Sequence, residues 1–166
     1  MSINFAAGGG QDYPAKIVQY LTTIKTDTAS TTNDGDDPYY FLSQAITLKQ
    51  SGNLVIVITK SHIGSNGSNA GGIWIKRDST VLHRGDASGN RPRVSASWGN
   101  PGKTWWQDNN CSIILDTPGG NVTYYLGCAN GWTAGTAYIN RSSRDSNGTS
   151  EDSRTASSIT LLEVEA

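Results

Sequence analysis

The chain has 166 residues, which predicts a single domain that is large enough to bury a core without disulfide cross-links. Its 13 basic and 14 acidic side chains give a net charge of -1, which argues against a nucleic-acid partner. No apolar run is long enough to cross a bilayer, so membrane insertion is not expected either. Charged residues are scarce at 16%, and 19 glycines accompany many Ser, Thr and Asn residues, a composition typical of turn-rich β-proteins.

Residues 1–15 are expected to form a flexible N-terminal arm, because three consecutive glycines follow a short apolar start. The arm has neither the basic stretch nor the long apolar core of a signal peptide, so export is not expected. An apolar segment that is mobile alone can become ordered on a partner, which makes the start of the arm a candidate binding segment. Its candidate residues are Ser2, Ile3, Asn4 and Phe5.

Residues 16–166 predict one domain of about ten short strands, separated by loops rich in Gly, Ser, Asn and Pro. The number and spacing of the strands predict an all-β fold, an antiparallel jelly-roll-like β-sandwich. The region 63–72 is expected to be a loop, because Gly, Ser and Asn dominate it. The predicted strands cover 17–26, 39–48, 54–58, 73–77, 80–83, 94–98, 111–116, 122–128, a short run from 138, and 157–164.

The first and last predicted strands carry apolar residues on both faces. The run 17–26 is therefore expected to be buried on two sides or against a partner. The run 157–164 is expected to be an inner strand of a sheet, held by a neighbour on each side. Such strands would leave apolar surface uncovered in a monomer, which favours self-association.

Two hairpins are predicted. Asp78 and Ser79 separate two short strands and indicate a tight turn. Residues 117–121 separate two longer strands and predict a second hairpin. The register of that hairpin places Cys111, Ile113 and Leu115 on the same inward face as Cys128. The two cysteines lie diagonally to one another, too far apart for a disulfide, so both are expected to be free thiols.

Three short motifs resemble functional sites, but each has a simpler interpretation. Residues 99–104 end like a phosphate-binding loop, yet they lack the first glycine and the following helix of that motif. The Arg-Gly-Asp sequence at 84–86 is typical of an exposed turn as well as of cell adhesion. The acidic run 33–37 could hold calcium, but it lacks the ligand spacing of the helical calcium loop, which favours a solvated loop.

The sequence does not predict a catalytic site, and we expect a protein that is not an enzyme. His62 and His83 have no cysteine or carboxylate at the spacing of metal ligands, so no metal and no cofactor are expected. Carboxylate pairs for glycoside cleavage stay open, although the acids fall mostly in predicted loops.

The tryptophans are the strongest candidates for contacts with a partner, because they fall at strand ends or in loops. Exposed loop aromatics bind sugar rings and protein surfaces, whereas buried ones form small cores beneath loops; both interpretations stay open. If residues 105 and 106 are extended, their rings point to opposite sides and need two surfaces to cover them. The candidate residues are Trp98, Trp105, Trp106 and Trp132.

Several segments, taken in order, resemble a family of small virion structural proteins of tailed bacteriophages, especially those of marine bacteria and cyanobacteria. The resemblance covers roughly 60 residues, and the order of the segments is its most specific feature. The segments are Ile17-Val18-Gln19-Tyr20, Lys25-Thr26-Asp27-Thr28, Leu115-Asp116-Thr117-Pro118-Gly119 before Tyr124-Tyr125, Tyr138-Ile139-Asn140-Arg141-Ser142, and Ser157-Ser158-Ile159-Thr160-Leu161-Leu162-Glu163-Val164.

The resemblance implies a homotrimer of the tumour-necrosis-factor and C1q type, located in the virion and without catalytic residues. The leading hypothesis is a surface decoration (cement) protein that binds the major capsid protein. An alternative is the head of a tail or head fibre that binds a host surface glycan, although no fibre shaft is evident. An alternative of another class is a glycan-binding, lectin-like module that uses the loop tryptophans; a hydrolase on the same scaffold is a third.

Overall fold

The computed structural model describes residues 16–66, 69–131, 135–148 and 151–165. The predicted arm at 1–15, with Ser2, Ile3, Asn4 and Phe5, lies outside the described residues, as does Trp132. The described part of the chain forms eleven β-strands and no helix. The strands are β1 (Ile17–Lys25), β2 (Ala29–Thr31), β3 (Tyr39–Ile46), β4 (Leu54–Ser65), β5 (Ala70–Arg77), β6 (Thr80–Val81), β7 (Ala96–Gly99), β8 (Gln107–Asp116), β9 (Val122–Asn130), β10 (Ala137–Ile139) and β11 (Ser157–Val164).

The first sheet is built around β4, the longest strand. Strand β11 pairs with β4 from Leu54 to Lys60, and β1 pairs with the other edge of β11. The short strands β10 and β2 continue the sheet beyond this pairing. Strand β8 pairs with β4 from Val55 to Gly64, so it must lie along the opposite edge of β4. Strands β1, β11, β4 and β8 therefore lie side by side in that order.

The second sheet has the order β3-β9-β5, and β5 also pairs with β6 and β7. All strand pairings in both sheets are antiparallel. The sheets face one another, and alternate residues of their strands fill one apolar core. This arrangement confirms the predicted all-β, antiparallel, jelly-roll-like sandwich. The core includes Leu42, Ile46, Val55, Val57, Ile63, Ile73, Ile75, Trp98, Ile114, Tyr124, Leu126, Cys128, Ile139, Ile159 and Leu161.

The prediction that the last strand lies inside a sheet is confirmed, because β11 pairs with β1 on one edge and β4 on the other. Its inward residues are fully buried and its outward residues are half-buried. One inward residue is the buried carboxylate Glu163, which accepts hydrogen bonds from the Lys49 amide at 2.8 Å and the Asn53 side chain at 2.7 Å. Glu163 thereby fixes the connection between β3 and β4.

The predicted tight turn at Asp78 and Ser79 is confirmed, since β5 and β6 pair directly across it. The predicted loop at 63–72 is wrong, because β4 continues to Ser65 and β5 begins at Ala70. Gly71 in β5 allows close packing, since a Cβ atom there would lie 2.1 Å from the Ala129 carbonyl oxygen.

The predicted hairpin around 117–121 is also wrong. Strand β8 pairs with β4 in the first sheet, whereas β9 pairs with β3 and β5 in the second, so 117–121 crosses between sheets. The predicted register fails with the hairpin: Cys111 is exposed, and only Cys128 faces the core. Both cysteines are free thiols, as predicted, but they belong to different sheets.

Candidate functional site

The outward side of the first sheet carries an apolar surface that the described chain leaves open. Residues paired directly across neighbouring strands point to the same side of a sheet, so the strand register defines this surface. We call it the apolar outer face. Its rows across β1, β11, β4 and β8 are Tyr20, Leu162, Ile56 and Leu115; then Thr22, Thr160, Ile58 and Ile113; then Ile24, Ser158, Lys60 and Cys111.

Exposure is greatest at the two edges of this face. Tyr20 and Ile24 on β1 are each 61% exposed, and Ile113 and Leu115 on β8 are 62% and 48% exposed. The central Ile56 is buried by its neighbours. Large apolar side chains in one contiguous patch, rather than scattered singly, indicate an interaction surface. The described residues do not bury the first strand on two sides; its burial against a partner stays a prediction.

The centre of the face holds two hydroxyl groups that pair with one another. The Thr22 hydroxyl lies 2.9 Å from the Thr160 hydroxyl, so these two polar groups pair with one another. Lys60 brings a positive charge near one end, next to His62. Burial lowers the pKa of His62, with a further contribution from Lys60, so the imidazole is neutral at neutral pH. The face therefore has little charge to oppose apolar contact.

Sequence reasoning missed this face because it assigned Cys111, Ile113 and Leu115 to the core. The sequence does contain a sign of this outward face: Ile113 and Ile114 are consecutive residues of one strand, so only one of them can point inward. Ile114 is the inward residue, and it is buried.

The structure places the candidate tryptophans in different environments. Trp98 is 2% exposed, packs in the core and donates its indole N–H to the Ala129 carbonyl at 3.3 Å, which fits the small-core interpretation of this residue. Trp105 is half-buried, and Trp106 is 38% exposed. Their ring centroids are 6.0 Å apart. The condition for opposed rings, an extended backbone, is not met, because the chain turns here and the Trp106 amide donates to the Lys103 carbonyl.

The exposed Trp106 borders an open depression of about 620 Å³ at one end of the sandwich. The Asn100 side chain fixes the loop beside it, donating to the Ser65 carbonyl at 2.8 Å and accepting from the Gly102 and Lys103 amides. These two amides already donate to Asn100, so they are not available to bind a phosphate. In addition, the loop leads into the strand β8, whereas a phosphate-binding loop leads into a helix. The loop therefore presents an aromatic surface rather than a phosphate site.

Among the described residues, His, Cys, Asp and Glu side chains do not gather in groups of three or more that could hold a metal ion. The described chain likewise has no helix long and apolar enough to cross a membrane. Comparison with protein-family models and with curated protein sequences found no match for this chain.

Proposed function

We propose that this protein is a non-enzymatic virion structural subunit that assembles as a homotrimer and decorates the capsid surface as a cement protein. The observation that carries the assembly part is the apolar outer face, which the described residues of one chain leave exposed. Placement in a bacteriophage virion rests on the resemblance of the terminal segments and of 115–125. The candidate arm residues Ser2, Ile3, Asn4 and Phe5 would then contact the major capsid protein.

The occupants of the apolar outer face are two further copies of this chain. The face has two unlike apolar edges, Tyr20 and Ile24 on β1 and Ile113 and Leu115 on β8. A contact that joins one edge to the other edge of the next copy is heterologous, and such contacts form a ring when the rotation between copies closes. The two unlike edges suit a contact of this kind, and the jelly-roll-like fold together with the resemblance favours a closed ring of three copies.

A second candidate function is the head of a fibre, or a lectin-like module, that binds a host glycan. One observation favours it: the exposed ring of Trp106 beside an open depression. Aromatic rings of this kind stack on sugar rings. In this case Trp106 would hold the glycan, and the apolar outer face would still hold the trimer together.

Sedimentation of the full-length chain tests the assembly. We expect a species of three times the 17.7 kDa chain mass at micromolar concentration. Ile113→Lys places a charge on the edge at β8 and should give a folded monomer, because an unpaired charge cannot be buried in the contact. Tyr39→Lys is the matched control: Tyr39 is also an exposed large side chain, but it lies on the second sheet. A monomeric unsubstituted protein would contradict the proposal.

Placement in the virion needs a separate test. Mass spectrometry of purified particles should find the chain, and a cryo-EM map should show its trimers on the capsid surface. Finding the chain only at a tail or fibre tip would support the second candidate function, and its absence from particles would contradict both virion placements.

A further inference from the structure

A positively charged groove lies on the other side of the molecule, apart from the apolar outer face. The connection from β6 to β7, residues 82–95, returns over the outward side of the second sheet. It is held there by the Ser95 hydroxyl, which donates to the Leu82 carbonyl at 2.7 Å and accepts from the Ile75 amide at 3.1 Å. We call the groove beside this connection the arginine groove. It is lined by Asp36, Arg84, Gly89, Asn90, Arg91 and Arg93.

The guanidinium groups are held by their own loop. Arg84 Nε donates to the Arg93 carbonyl at 3.2 Å, and Arg93 Nε donates to the Gly85 carbonyl at 2.7 Å. Arg91 Nη1 donates to the Ser88 hydroxyl at 3.2 Å. The reciprocal bonds of Arg84 and Arg93 use the inner nitrogen of each fork. Their terminal nitrogens, which can bind a carboxylate in bidentate fashion, are thus presented with less loss of side-chain entropy on binding.

The charge of the groove differs from that of the whole chain. The groove has the guanidiniums of Arg84, Arg91 and Arg93 against the single carboxylate of Asp36, whereas the chain has a net charge of -1. Asp36 Oδ1 lies 4.0 Å from Arg84 Nη2 and neutralises only part of this charge. The volume of the groove is about 620 Å³, within the range of small-ligand sites.

An apolar crevice adjoins the arginine groove. It has a volume of about 230 Å³ and is lined by Gly35, Trp74, Pro92 and Val94 among others. A shallow depression that includes Asn90, Arg91 and Pro92 connects the two. A ligand that fills both spaces needs an anionic group for the arginines and an apolar surface for the crevice.

We propose that the arginine groove binds a carboxylated sugar of the uronic-acid or sialic-acid class. The fork-shaped guanidiniums match a carboxylate. Asp36 and Asn90 can accept and donate hydrogen bonds to sugar hydroxyls, and Pro92 with Val94 can contact the apolar face of the ring. Asp36 disfavours polyphosphates, because it would repel additional negative groups placed beside the first.

Calorimetric titration of the full-length protein with tetragalacturonate tests this proposal, with the neutral methyl ester of the same oligosaccharide as the matched ligand. We expect the acid to bind and the ester to bind about tenfold more weakly or not at all, since charge-assisted hydrogen bonds are lost. Arg84→Gln and Arg91→Gln should each weaken binding by about tenfold. Arg154→Gln removes the same charge from an exposed arginine elsewhere and should leave binding unchanged.

Equal binding of acid and ester, or full binding by both groove variants, would overturn the proposal. A sulfated oligosaccharide that binds when carboxylated ones, including a sialylated trisaccharide, do not would overturn the choice of carboxylate. The Ile113→Lys variant separates this proposal from the trimer, because the groove belongs to one chain and lies on the other sheet. Binding by a monomeric Ile113→Lys chain is therefore expected, and failure to bind would place the ligand at an interface instead.

Discussion

The outward sides of the two sheets differ in how much of their apolar surface the chain covers. On the second sheet, the connection at 82–95 covers Trp74, which is buried although it points away from the core. Lys76 lies over the rings of Tyr40 and Tyr125, at 4.1 and 4.7 Å from their centroids. On the first sheet, the corresponding side has no such cover among the described residues, and Tyr20, Ile24, Ile113 and Leu115 are exposed.

The difference separates surface used for stability from surface available for association. Apolar groups that the chain covers contribute to the folding of one copy, at roughly 25 cal/mol for each Å² removed from water. Apolar groups left open contribute only when a partner covers them. Substitutions on the two sides should therefore change different quantities: the free energy of unfolding on the second sheet and the association constant on the first.

The largest effect is expected at Trp74 on the covered side. Trp74→Ala removes a buried aromatic ring and leaves a cavity beneath Pro92 and Val94, so unfolding should become easier by about 3–5 kcal/mol. Urea denaturation monitored by circular dichroism measures this change. Sedimentation of the folded variant should still give the oligomer, and a loss of association without a loss of stability would break the comparison.

The two cysteines lie on different sheets and should differ in their reactivity toward alkylating reagents. Burial raises the pKa of Cys128 to about 12, so at pH 8 its thiolate is about a thousandfold rarer than for a thiol of ordinary pKa. Cys111 is exposed on the apolar outer face. Brief alkylation should therefore label Cys111 alone in the monomeric Ile113→Lys variant, while assembly should protect it in the unsubstituted protein. Mass spectrometry of peptides identifies the site, and rapid labelling of Cys128 in the folded state would contradict the assignment.

The raised pKa of Cys128 also sets an alkaline limit to stability. Both states hold the proton below the ordinary pKa of 9.0, whereas above it the unfolded chain ionises and the folded chain does not. The free energy of unfolding should therefore fall as pH rises from 9.0 toward 12. Denaturation curves at several pH values measure the decline, and Cys128→Ala should remove part of it.

A smaller effect is expected at Tyr20 on the open side. Tyr20→Ala should weaken association by about 2 kcal/mol per contact, the size typical of an aromatic residue that anchors an interface. Its effect on the unfolding of a single copy should stay within about 0.5 kcal/mol, because the side chain is exposed there. Concentration-dependent sedimentation measures the first quantity. A loss of monomer stability with association unchanged would show that the face stabilises the fold alone.

The smallest effect is expected at Lys76. Lys76→Met keeps the length of the side chain but removes its cation–π contacts with Tyr40 and Tyr125, and it should lower the free energy of unfolding by about 1 kcal/mol. The oligomeric state should not change. Tyr40→Leu in the Lys76→Met background should cost less than in the unsubstituted chain, and strict additivity in this double-mutant cycle would argue against the contact.

The parts of the fold that were predicted correctly are those in which the local sequence is compatible with a single arrangement of the strands. The run from Ser157 to Val164 is too apolar for an edge strand, and the Asp78-Ser79 pair suits a tight turn between short strands. The residues at 117–121 suit either a hairpin or a crossing between sheets, because Pro and Gly mark a turn without selecting the partner of the next strand. That choice depends on pairing between distant strands, which local sequence does not encode.

The candidate site was predicted less well for a related reason. Cys111, Ile113 and Leu115 alternate like core residues, and only the neighbouring Ile114 shows that the opposite side points inward. Trp98 lies near a loop in sequence but packs inward, because Gly71 leaves room for its ring. The arginine groove forms because Asp36 lies close to the connection at 82–95 in the folded chain. The two segments are far apart in sequence, and no sequence pattern predicts that they come together.

The pairing of β1 with β11 also bears on how the chain reaches its folded state. The Thr22 hydroxyl donates to the Ile159 carbonyl, across 137 positions in sequence. Closing so large a loop slows folding, because its entropy is lost before the contacts that reward it form. The apolar outer face is complete only after β11 has docked between β1 and β4. A folding intermediate in which β11 has not yet paired therefore lacks the complete apolar outer face, and association through that face has to follow the docking of β11.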